Sequence, residues 1–263
     1  MPTYQKIVWF GLVAIVIAIL ALAYFLFLAP QAGKKEAVFP ETSSLPSPQA
    51  AATAAAAENG SNIAPLELDL DRSDMAVREL VAAEKIPAGM KEWLQQKEIV
   101  RTVVAAVDSI ARGESPAAQL PFLAPAAKFA VSERNGKLFI EPRSFGRYDP
   151  LVNAFTAIPD KTWTTWYWKL RPTLEKAFAE LGYPGITFAQ RLQQAIEQLV
   201  QAPLPRENAV LEKKILSYAY ADAGLENLNP AQKHLLRLGP ENVARIQGKL
   251  RALAAALNPS GKK

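Results

Sequence analysis

Residues 7–29 read IVWFGLVAIVIAILALAYFLFLA, an apolar run of 23 residues without a charge. No other stretch constrains the chain so strongly. As a helix it measures roughly 35 Å, enough to cross a hydrocarbon layer of about 30 Å with some tilt. Trp9 near one end and Tyr24 and Phe25 toward the other are placed as interfacial anchors. A cleaved signal peptide is the competing reading, and Ala21-Leu22-Ala23 has the small-x-small form of a cleavage site. That tripeptide lies inside the apolar run, however, and signal h-regions are shorter, about 7–15 residues. The segment is therefore read as an uncleaved transmembrane helix following a short flank, residues 1–6. Lys6 precedes it and Lys34 and Lys35 follow it. Charge counting is thus nearly balanced and does not fix orientation.

Composition changes abruptly after the anchor. Residues 30–65 are rich in Ala and Pro and carry no apolar periodicity, as expected of a flexible linker without a core. As a coil it would average roughly 33 Å end to end, and fully extended roughly 110 Å. Residues 66–258 are read as a mainly helical soluble domain, and 259–263 as a tail. The formal charge of +5 lies entirely in the part after the linker, because Lys6, Lys34 and Lys35 balance Glu36, Glu41 and Glu58. That excess is too mild to indicate nucleic-acid binding.

Helical spacing recurs through the domain. A short helix is expected near 73–85, capped by Ser73 or Asp71. A long one is expected over 90–112, with Trp93, Val100, Val103, Val104, Val107 and Ile110 on one face. Residues 160–181 place Trp163, Trp166, Tyr167, Leu170, Leu174, Ala177, Phe178 and Leu181 on a stripe. Pro172 predicts a kink or two abutting helices there. Thr187 and Gln190 form a capping box for a helix reaching Ala202. Asn229-Pro230 starts another that stops near Gly239, and Pro240 opens a last one with a Val243, Ile246, Leu250, Leu253, Leu257 seam. Glu241 in its first turn and Lys249 and Arg251 toward its end would complement its dipole. One β-hairpin is expected around the type I′ turn Asn135-Gly136, with Val131 opposite Ile140 and Phe129 and Leu138 on the same face. Residues 210–220 are either a further strand or a helix. The fold class is thus mainly α, with a small β-hairpin, preceded by one transmembrane helix and the linker.

Gly146-Arg147-Tyr148-Asp149, Leu181-Gly182-Tyr183-Pro184 and the block from Asn229 to Asn242, in that order, resemble a proteobacterial family of single-span, membrane-anchored proteins. The family carries only a domain-of-unknown-function label. The resemblance covers roughly residues 66–256. It implies an anchored envelope protein with a helical domain, and favours a cytoplasmic N-terminus with the domain in the periplasm. It implies no activity and carries over no catalytic residue.

The composition excludes much chemistry. With no Cys there are no thiol nucleophiles, disulfides or thiolate metal sites, and a single His removes His-rich metal centres. No cofactor or metal is expected. His234 reads as a surface residue, with no Gly-x-Ser-x-Gly context for a hydrolase. Asp149, Asp160, Glu175 and Glu180 keep a cell-wall-acting enzyme with paired carboxylates open as an alternative. Among Trp163, Trp166 and Trp168, helical phasing puts the first two in the core and turns Trp168 about 140° away. Trp168, Arg143, Arg147, Tyr148 and Arg237 are the candidate partner-binding residues, and Asp149 reads as an N-cap. The leading expectation is a non-catalytic, membrane-tethered interaction or scaffold module of the inner membrane that meets a protein partner in the envelope. A third reading is an accessory subunit of an integral membrane complex.

Overall fold

A left-handed residue decides where the first long helix begins. The computed structural model describes residues 63–87, 90 and 93–257. The expected transmembrane helix, all but the end of the linker, and the tail lie outside them. No helix among the described residues is long and apolar enough to cross a membrane. After a 3-10 turn at Leu70–Arg72 come α1 (Ser73–Ala82) and α2 (Ile99–Ala111). The single helix expected over 90–112 is corrected. Glu98 has φ 54°, and the Asp74 carboxylate accepts from the Glu98 and Ile99 amides at 2.9 and 2.8 Å. This caps α2 from α1, while Arg78 donates to the Leu94 and Gln96 carbonyls and holds the connecting turns. Val103, expected on the buried stripe, is exposed. The expected caps at the start of α1 also move. Asp69 receives the Asp71 amide, and Ser73 is a buried helical residue whose hydroxyl donates to Leu70.

The strands β1 (Val131–Arg134) and β2 (Lys137–Ile140) form the expected hairpin, with Val131 opposite Ile140 and positive φ at both Asn135 and Gly136. The sheet is larger than a hairpin. Residues 210–220 supply β3 (Val210–Lys213) and β4 (Tyr218–Tyr220), giving a four-stranded antiparallel sheet in sequence order. β3 pairs the edge of β2 that a lone hairpin leaves open, and β4 in turn pairs β3.

Between the hairpins lie α3 (Pro142–Gly146), α4 (Asp149–Ala157), α5 (Asp160–Ala179) and α6 (Phe188–Val200). After them come α7 (Ala223–Glu226), α8 (Pro230–Leu236) and α9 (Pro240–Leu257). The fold is therefore mainly helical. Helix α5 passes through Pro172 without dividing into two. Trp166 before the proline and Leu174, Ala177 and Phe178 after it are buried in one core, so packing on both sides holds the helix together. Leu181, expected at the end of this stripe, is exposed beyond the helix. The capping box of α6 forms as expected, with Thr187 Oγ1 accepting the Gln190 amide and Gln190 Oε1 accepting the Thr187 amide.

Two apolar clusters result. The first joins α1, α2, α5 and the start of α6 around Val104, Trp166, Phe178 and Phe188. The second joins α4, α8 and α9 around Val152, Leu236 and Val243, with Tyr220 bringing in the sheet. Helix α9 lies against α4, α5 and α6. It does so with polar groups as well as its seam. Asn242 donates to Asp149 at 2.7 Å, Arg245 to Asn153 at 2.7 Å, and Lys249 to the Ile158 carbonyl while pairing with Asp160. Lys249 therefore serves the α4–α5 junction and not the dipole of its own helix.

Candidate interaction surface

The aromatic and basic residues singled out in the sequence do not share one open surface. Tyr148 is 7% exposed and belongs to the second core. Arg147 is tied down by its own chain, donating to the Ser144 carbonyl at 2.8 Å and the Ala127 carbonyl at 3.0 Å. Arg143 is exposed and pairs with Glu141 at 2.5 Å. Trp168 is half-buried on α5, edge-on to Tyr167 and covered by the Arg171 guanidinium 5.2 Å from its centroid. Trp166 is 6% exposed and Trp163 packs beside it, as the phasing required. Arg237 is exposed at the end of α8.

The four carboxylates are each committed to a separate structural task. Asp149 is the first residue of α4 and, instead of capping it, accepts from Asn242. Asp160 pairs with Lys249 at 2.5 Å. Glu175 accepts the Phe188 and Ala189 amides at 2.7 and 3.3 Å and so caps α6 from outside. Glu180 holds Arg101 in a bidentate pair at 2.7 and 2.8 Å. That hydrogen bonding lowers the Glu180 carboxyl below its ordinary range and raises the Arg101 guanidinium, to which Asp71 also contributes. A cleft of about 630 Å³ opens beside Asp71, Asp74, Arg78 and Arg101. Asp71, Asp74, Arg78, Glu98 and Arg101 are engaged with one another, with Glu180 or with backbone.

His234 is not the surface residue expected. It is half-buried, and its Nδ1 lies 3.1 Å from Ser115 Oγ. The pair has the members of a nucleophile and its base but not the electrostatics. Burial, with Arg237 adding to it, pushes the imidazole down to about 4. A base in acyl transfer must become an imidazolium, which a carboxylate stabilises and a guanidinium opposes. Ser115 also accepts the Ala117 amide as a cap.

An unclaimed surface lies at one end of the sheet. The register sets Leu138 opposite Leu211, and Leu211 opposite Tyr220. The β1–β2 and β3–β4 turns therefore fall at the same end. Glu133 to Lys137 and Glu212 to Tyr218 are all exposed there. Lys214 N donates to Ser217 O at 2.9 Å, which leaves Ile215 and Leu216 as the two residues of the β3–β4 turn, 98% and 95% exposed. Arg134, Lys137, Lys213 and Lys214 lie at this same end with the acids Glu133 and Glu212, the Arg134 guanidinium resting 4.9 Å over the Phe139 ring. Arg147 is linked to this hairpin, since its guanidinium lies over the Phe129 ring, which in turn meets Tyr218 at 5.7 Å. Sequence reading missed the turn because the run VLEKKILSYAY holds no Gly, Pro, Asn or Asp to mark one, so residues 210–220 read as a single element.

Residues 99–254 match the model of a family described as protein of unknown function, DUF3014, and the chain belongs to that family. No curated protein and no solved structure matches it.

Proposed function

We propose that the protein is a non-catalytic envelope module, anchored in the inner membrane by residues 7–29, with its N-terminus in the cytoplasm and its helical domain docking on another envelope component in the periplasm. The observation that carries the docking reading is the exposure of Ile215 and Leu216. Exposed turns favour Gly, Asn, Asp and Ser, and the polar side chains among these hydrogen-bond locally. Ile215 and Leu216 keep negative φ and strain no backbone, but the pair offers no local hydrogen bond and gains no burial in return. Residues that break local turn chemistry without an internal gain are those expected to act on something outside the chain. The apolar run at 7–29 supports the anchor, and the Ala/Pro-rich stretch supports a tether that lets the domain reach.

In-cell crosslinking of the full chain tests this, with a photo-reactive residue at 216 or at 168. Position 216 should form adducts with an envelope component, protein or lipid, recovered in the inner-membrane fraction. Position 168, shielded by Arg171 and Tyr167, should form few. A chain that stays intact yet yields no external adduct from 216 would sink the docking reading.

A further inference from the structure

The chemistry of the sheet end also bears on what it meets. We propose that the β3–β4 turn docks on an anionic lipid surface, with Ile215 and Leu216 entering the headgroup layer and the cations of the same sheet end resting on lipid phosphates. This deepens the docking reading above and rests on it. The two aliphatic side chains stand at the apex of a turn and are almost wholly exposed. An apex enters a soft interface without needing a matching pocket. Protein hot spots, in contrast, favour Trp, Tyr and Arg, with Leu under-represented. Arg134, Lys137, Lys213 and Lys214 lie at this same end, against Glu133 and Glu212, so its net charge is positive. Lysines beside an apolar insert combine electrostatic attraction to anionic lipid with burial of apolar surface. The Lys214–Glu212 pair, 2.9 Å long, is about half exposed on both sides, so it competes weakly with phosphate. The tether would keep this tip within reach of the bilayer, raising its effective concentration there.

The chain contains no Cys, so Ser217→Cys gives a single site for an environment-sensitive fluorophore beside an intact Ile215-Leu216 pair. The labelled full chain is embedded in nanodiscs of zwitterionic lipid, or of the same lipid with an anionic component. The proposal expects a blue-shifted, severalfold brighter label on anionic discs only, quenched by lipid-borne spin labels. Lys213→Glu with Lys214→Glu should abolish the change, as should Ile215→Ser with Leu216→Ser. An unchanged label, or an equal change on zwitterionic discs, overturns it. A change that requires native membranes with their proteins also overturns it in favour of a protein partner, while the docking reading stands. Retention of the chain by the discs is read separately by size exclusion. Its loss overturns the anchor and not the tip, and the same label is then read against added anionic vesicles, where no change overturns the lipid proposal.

Discussion

Asp108 shows how much a single residue carries in this domain. Its side chain is 6% exposed on α2, and it accepts from Arg112 Nε at 3.0 Å and from the Tyr183 hydroxyl at 3.1 Å. Arg191 Nε lies 3.1 Å from its other oxygen, close enough to pair, although that contact is not aligned as a hydrogen bond. The same guanidinium lies over the Tyr183 ring, 4.6 Å from its centroid. Asp108→Ala would leave Arg191 buried without its counter-charge, and removing one partner of such a pair costs about 3–5 kcal/mol. Urea unfolding of the variant should show that loss, and a loss below about 1 kcal/mol would mean solvent already screens the pair. Gly239, between α8 and α9, has φ +83°, and a Cβ there would come within 2.5 Å of the Phe145 ring. Gly239→Ala combines a left-handed backbone with a clash against a ring, and should cost about 2–4 kcal/mol. A midpoint equal to the parent's would show that Phe145 moves aside freely.

At the scale of elements, some helix ends in this fold are closed by side chains from other elements as well as by local caps. The α6 helix is the fullest case. Glu175 of α5 accepts its first amides, and Gln247 of α9, 3% exposed, donates to the Leu199, Val200 and Ala202 carbonyls at its last turn. Gln247→Leu retains volume but strands those carbonyls, which should cost about 2 kcal/mol. Gln247→Glu should cost more, because a carboxylate would face carbonyl oxygens. Hydrogen exchange at the C-terminal end of α6 should accelerate in both variants, and unaltered protection there would show that water replaces the amide. This pattern also explains what was legible in the sequence. The Thr187–Gln190 box, the Asn135-Gly136 turn and the Asn229-Pro230 start are local signals between neighbours, and all three form. The start of α2 depends on Asp74, far away in sequence, so periodicity carried the expected helix too far. The same limit applies to the surface. Phasing of α5 separated Trp166 from Trp168, but Tyr148 and Leu216 needed tertiary contacts to show which of them is buried and which is exposed.

For the whole molecule, the question is whether two apolar cores mean two independently folding parts. The described residues fall in one compact unit, and α9 contacts helices of both cores. Phe188→Ala in the first core and Leu236→Ala in the second should therefore each lower one shared transition, by about 3–5 and 2–5 kcal/mol. Separated transitions by two probes would mean that α9 does not couple the cores. The pH dependence of this shared stability should carry the signature of His234, which lies on α8 near the second core. The imidazole of the unfolded chain takes a proton near pH 6.5, and the folded one only near 4. Between those values the unfolded state binds more protons, so its share grows as pH falls. Stability is full above pH 6.5 and declines through the window to about 4, by at most roughly 3 kcal/mol, with the solvent that the half-buried ring still meets reducing that figure. Glu180 and Glu226, whose carboxyls are held below their ordinary value, act differently. Their stabilisation is present above the ordinary carboxylate range near 4.5 and is lost only as pH falls further, through their lowered folded values. His234→Gln keeps an amide that can meet Ser115 but does not titrate. Urea midpoints measured from pH 7 to pH 5 should slope in the parent and flatten in this variant. Parallel slopes in the two would assign the upper part of the acid response to other groups and show that the Ser115–His234 pair opens to water before the domain unfolds.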